Sequence, residues 1–141
     1  GILVARPAGR WMDRSGLRPV IATALAAMLL AWGVLSLAAW TAAAVVAGVV
    51  LLDCALRAAM VANQTLVNTA VPDSRARANT DFGTHVWGGN ATGAFLASWA
   101  YAQFGWLAVC AVAAVASATA LAIHWAGGRE SGATATGDAA R

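Results

Sequence analysis

The residues most able to do chemistry are four polar groups set into one long apolar stretch: Asp53, Arg57, Gln64 and Asn68. At about 100° per residue on a helix, all four fall within about 60° of one another. Met60 shares the stripe, and Asn63 and Thr65 flank it. Asp53 and Arg57 are spaced i and i+4, so on a helix their side chains meet. Charges inside an apolar helix are costly in lipid and ordinarily face a bundle interior or a water-filled path. Two readings follow. The pair neutralises itself as a structural element, or it lines a pathway in which a carboxylate with a raised pKa carries a proton. The pathway role is the working expectation, and the two roles can coexist.

A second pair, Asp81 and His85, is also spaced i and i+4. An imidazole titrates near neutral pH, so the pair is a candidate proton gate. The plainer reading is favoured: an acid welcomed by the helix dipole near an N-terminus, with a histidine hydrogen-bonded to it. Farther along stand Gly89, Gly93 and Ala97, spaced by four. Such a row lets a neighbouring helix approach closely, so Gly89 and Gly93 are expected to serve packing. Asp81, His85 and His124 do not have metal-ligand spacing, so no metal and no cofactor are expected. There is no phosphate loop, nucleophile elbow or cysteine cluster, and an enzyme is not expected.

These side chains must be positioned by membrane helices. Hydrophobic residues make up 60% of the 141-residue chain and charged residues 11%, against roughly 25% charged in soluble domains. So few polar groups cannot cover a soluble globule of this size. Cys54 and Cys110 lie in apolar runs and read as small buried hydrophobes. Four apolar stretches are expected to span a bilayer, over 19–39, 41–71, 79–102 and 106–126. Pro19 suits the first turn of the first. Residues 127–141 lack apolar periodicity and read as a disordered tail.

Of the nine arginines, only Arg57 lies within a span; the other eight fall before the first span, between the second and third, or after the fourth. The positive-inside rule makes that side cytoplasmic and puts both ends of the chain there. Trp40, Trp99, Tyr101 and Trp106 collect at the opposite ends of the spans as an aromatic belt. The arginines sit in short connections, so nucleic acid is not an expected partner. The first residue is not methionine and no basic n-region follows, so no signal peptide is expected, and the chain reads as beginning inside a larger protein.

The most specific local signal is the first loop, Gly9-Arg10-Trp11-Met12-Asp13-Arg14-Ser15-Gly16-Leu17-Arg18. It resembles the signature loop of the major facilitator superfamily at Gly9, Asp13, Arg14, Gly16 and Arg18. Trp11 stands in place of the usual leucine, and Leu17 in place of the first of two paired basic residues. The segment Pro72-Asp73-Ser74-Arg75-Ala76-Arg77-Ala78-Asn79-Thr80 is similar to one in bacterial efflux-type members, and Gly89, Gly93 and the Phe104-Gly105-Trp106 turn extend the likeness. Asn90 and His85 depart from it.

The resemblance implies an all-α membrane fold. The four helices would belong to the carboxy-terminal six-helix half, as helices nine to twelve, with residues 1–18 ending helix eight and forming the signature loop. A register of helices three to six remains open. It further implies a secondary transporter in a bacterial inner membrane, exporting small molecules against protons by alternating access. Asp13 would be held by Arg14 and Arg18 and dock on an amino-terminal half that this chain lacks. The alternative from another class is a small four-span membrane protein acting as a scaffold or assembly subunit.

Overall fold

The computed structural model describes residues 16–70 and 74–138, with the backbone alone beyond Gly127. Four helices follow in order: α1 (Leu17–Leu35), α2 (Ala42–Ala70), α3 (Arg75–Phe104) and α4 (Trp106–Asp138). Among the described residues there is no strand. The end of the helix expected before residue 9 lies outside the described residues, as does most of the first loop.

Helix α1 starts where the chain permits it. Gly16 has φ +82°, a conformation a glycine adopts without steric cost, and Leu17 opens the helix. Pro19 falls in the first turn, where its missing N–H leaves no helical bond unmade. The α-helix gives way at Ser36 to a 3₁₀ turn over Ser36–Ala39, and the two together run 23 residues at mean hydropathy 2.2. Thr41 then accepts the main-chain N–H of Ala43 on its hydroxyl at 3.2 Å, an N-terminal cap for α2.

The contact between α1 and α2 is the main packing interface. Val20, Ile21, Ala24, Ala31 and Leu35 are buried on α1, and Ala44, Gly48, Ala55, Ala59 and Ala62 on α2. The α2 contribution is almost wholly alanine and glycine, which lets the two backbones come close. Val20, Ile21 and Ala62 form the core cluster, with Leu17 and Leu25 packed against it. Helix α4 lies against α1 and α3, and α3 has only Ala100 fully buried.

The outward surface is apolar. Val45, Val46, Val49 and Val50 of α2 and Leu107, Val115 and Ile123 of α4 are all exposed. This inverts a soluble globule and suits lipid. Hydroxyls are satisfied within their own helices: Thr23 donates to Pro19 O, Thr65 to Val61 O, Thr92 to Gly88 O and Ser117 to Ala113 O, all at 2.8–2.9 Å. No polar neighbour is then needed.

Among the described residues, three segments are long and apolar enough to cross a membrane: Leu17–Ala39, Ala42–Ala70 and Trp106–Gly127. Helix α3, at 30 residues, has the length but not the hydropathy. Arg75, Arg77, Asp81, His85, Asn90 and its glycines dilute the apolar content. It also begins four residues ahead of the expected start at 79. Helix α4 continues beyond the apolar segment that ends at Gly127 and reaches Asp138. No proline interrupts it, and extending an existing helix avoids the cost of nucleating a new one.

Candidate functional site

The candidate site is the outer face of α2. In Ala42–Ala70 the buried positions Ala55, Ala59 and Ala62 face α1. By helical rotation Asp53, Arg57 and Gln64 lie about 120–180° away from them. The alanine face therefore aims the polar stripe off the body of the chain. Arg57 Nε donates to Asp53 Oδ2 at 2.8 Å, and the two side chains are 54–56% exposed. Gln64 and Met60 are exposed along the same stripe.

Asn68 ends the stripe differently. It is partly buried, and its Oδ1 is an acceptor without a hydrogen-bond partner among the described residues. Asn63 is accounted for, since its Nδ2 donates to Ala59 O at 2.8 Å. The structure thus places Asp53, Arg57 and Gln64 together on one accessible face, with Asn68 half sheltered at its end.

The pair on α3 is arranged otherwise than expected. His85 Nδ1 lies 2.7 Å from the main-chain carbonyl of Asp81, not from its carboxylate. A carbonyl oxygen only accepts, so Nδ1 carries the hydrogen and Nε2 is the acceptor in the neutral ring. Both side chains are exposed, and among the described residues no hydrogen bond joins either to the α2 stripe. A Cβ added at Gly89 or Gly93 would meet nothing within 4 Å, so the small-residue row faces open space in this chain.

Of the signature-loop residues, Gly9, Asp13 and Arg14 lie outside the described residues. Gly16 takes the positive φ of a tight turn. Arg18 reaches α4: its Nη2 donates to Gly127 O at 3.3 Å. His124 Nε2 donates to the main-chain oxygen of Arg18 at 3.0 Å. Sequence reasoning weighed His124 only as a metal ligand and missed this link. A contact across 106 positions has no local signature. No group of three or more His, Cys, Asp or Glu side chains suited to a metal occurs among the described residues.

The site is thus an ion pair presented by an apolar helix bundle on the face its own chain leaves uncovered. The family model described as Major Facilitator Superfamily matches residues 1–140. This chain belongs to the Major Facilitator Superfamily. It is 28% identical over 123 residues to the uncharacterized transporter YgaY of Escherichia coli O157:H7, covering 87% of this chain and 31% of that protein. It is 39% identical over 111 residues to the probable transporter SCO4007 of Streptomyces coelicolor, covering 79% of this chain and 26% of that one. The chain therefore spans about a third or less of the curated relatives it matches. No solved structure matches it significantly. Membership and the relatives' names make it part of a multi-pass membrane transporter family, not an enzyme.

Proposed function

We propose that this chain is the carboxy-terminal part of a secondary active transporter, supplying helices nine to twelve and one wall of a proton-coupled efflux pathway. The observation that carries the reading is the exposed Asp53–Arg57 pair, turned away from the packed face of α2. In a bilayer such a pair requires water, cargo or another part of the protein, and not hydrocarbon. Major facilitator folds place substrate and coupling-ion sites near the midplane, between repeats. Four helices of twelve would be a third of a transporter, in keeping with the 31% of YgaY that the match covers.

In this reading Asp53 takes and releases the coupled proton, and Arg57 holds its carboxylate in place between transfers. Gln64 and Asn68 hydrate the exit. The face of α3 with Gly89 and Gly93 meets the amino-terminal half, and α3 is the fourth crossing, shielded from lipid by that half. Asp81 and His85 stand at the cytoplasmic gate. Asp13, Arg14 and Arg18 latch one conformation of the rocking cycle. Both ends of the chain lie in the cytoplasm, on the arginine-rich side.

The deciding experiment is proton flux in proteoliposomes holding the intact protein, driven by a panel of drugs and sugars. Asp53→Asn is expected to abolish substrate-induced proton flux, normalised to the amount of protein inserted. Unchanged flux in that variant would remove Asp53 from the mechanism.

A further inference from the structure

We propose that the Asp53–Arg57 pair and the groove beside it together hold a small zwitterion with an apolar side chain, of the chemistry of an aliphatic amino acid. The ligand is the cargo of the pathway proposed above, and its assignment rests on that reading. The groove runs between α1 and α2, has a volume of about 280 Å³, and is lined in part by Ala24, Ala27, Leu51, Cys54, Ala55 and Ala58. Thr23 supplies its one hydroxyl, which is spent on the carbonyls of Pro19 and Val20 at 2.9 and 3.0 Å. The other lining side chains are hydrocarbon and the Cys54 thiol. Such walls take an apolar group and give a polar one nothing to bond.

Helical rotation joins the groove to the pair. Counted from the buried Ala55, Ala58 stands about 60°, Cys54 about 100° and Arg57 about 160° around the same side of α2. The groove residues Leu51 to Ala58 cover the two turns that carry Asp53 and Arg57. Both charges bracket the middle of Ala42–Ala70. An apolar side chain seated in the groove therefore has its own polar end beside Arg57, at the depth of the ion pair.

The pair has valences to spare. Arg57 Nε donates to Asp53 Oδ2 at 2.8 Å, and among the described residues neither side chain makes another hydrogen bond. The N–H groups on both Nη atoms and the carboxylate Oδ1 are left over. A ligand of one sign satisfies one partner and unbalances the other. An ammonium and a carboxylate on a single carbon satisfy both, with the Nε–Oδ2 bond kept and no net charge added between apolar helices. An ammonium and a proton on the same carboxylate exclude each other, so cargo and proton exchange at Asp53.

The test is equilibrium dialysis of radiolabelled L-leucine against the intact protein in mild detergent. The competitors are glycine, 3-methylbutylamine, which lacks the carboxylate, and 4-methylpentanoate, which lacks the ammonium. Leucine is expected to bind about ten-fold more tightly than each of the three, the change that one charged hydrogen-bond partner or one buried side chain makes. Asp53→Asn and Arg57→Gln are each expected to erase its advantage over one single-charge analogue. Ala27→Leu fills the groove from α1 without touching either charge, and is expected to weaken leucine but not glycine. Either single-charge analogue binding as tightly as leucine overturns the proposal. So does leucine binding that survives both charge substitutions, or no leucine binding at all. Any of these results beside Asp53-dependent proton flux with another substrate strikes the zwitterion and leaves the pathway standing. Flux independent of Asp53 removes the pathway, and this cargo with it.

Discussion

The indole Nε1 of Trp106 donates a 2.8 Å hydrogen bond to the main-chain carbonyl of Leu35, 71 positions earlier in the chain. Leu35 closes α1 where the helix gives way to the 3₁₀ turn. Its side chain is buried and fills the space left by Gly48 of α2. One residue thus joins the end of α1, the first half of α2 and the first residue of α4. The link fixes how the helices meet at the membrane face opposite Arg18.

Trp106→Phe keeps the ring and removes the donor. A hydrogen bond of this kind contributes about 1 kcal/mol net. The thermal midpoint of the detergent-solubilised protein is expected to fall by a few degrees. A scanning fluorimetry or tryptophan-emission melt checks this, and an unchanged midpoint would show that the bond contributes nothing.

At Gly48 the backbone of α2 comes close to Leu35 of α1. A Cβ there would lie 2.6 Å from Leu35 Cγ and 3.3 Å from the Leu35 main-chain nitrogen. Gly48→Ala is therefore expected to destabilise by about 1–3 kcal/mol, the usual cost of overpacking. In the double variant with Leu35→Ala the clash is gone, so the two effects should fall well short of adding. Additive losses in chemical denaturation would place the strain elsewhere.

Two glycines should respond to alanine with opposite signs. Gly105 ends α3 with φ +76°, and its N–H reaches Tyr101 O at 2.9 Å. A side chain in that conformation costs about 1–2 kcal/mol. Gly33 lies within α1, and an added Cβ would meet nothing within 4 Å. Gly33→Ala is expected to stabilise by up to about 1 kcal/mol, because alanine loses less freedom in a helix. Parallel melts of the two variants read the sign directly.

The helices were legible in the sequence because long, mostly apolar runs bounded by Pro19, Trp40, Pro72 and Gly105 leave little choice of length. The polar stripe was legible too, since helical rotation alone puts Asp53, Arg57 and Gln64 on one face. What rotation could not show is which face α1 covers. The alanines at 55, 59 and 62 settle that, and in sequence they are indistinguishable from the other alanines of α2. Helix α3 starts before its apolar stretch for a physical reason. Arg75 and Arg77 are acceptable in a helix but not in lipid, so a search for apolar spans begins later than the helix. At the end of α4 the same logic runs in reverse, since polar residues leave a span without leaving the helix. The links Trp106–Leu35 and His124–Arg18 join distant positions through main-chain carbonyls. A carbonyl acceptor has no residue type, so neither link leaves a sequence pattern.

The two roles weighed for Asp53 and Arg57 separate in a charge exchange. If the pair only neutralises itself, Asp53→Arg combined with Arg57→Asp restores the same i, i+4 contact, and the protein recovers both its membrane level and its transport. If Asp53 carries the proton, the carboxylate now stands one helical turn nearer the Gln64 end of the stripe. Insertion then recovers while substrate-induced proton flux does not. Arg57→Gln alone should lower the amount of inserted protein less than Asp53→Asn alone. An unpaired arginine is left in the second case and an unpaired carboxylate in the first, and a carboxylate can neutralise itself by taking a proton, whereas a guanidinium cannot. Membrane-fraction immunoblots measure insertion, and the proteoliposome assay measures flux. Full transport by the exchanged pair would reduce it to a structural clasp and move the search for the proton carrier to another helix.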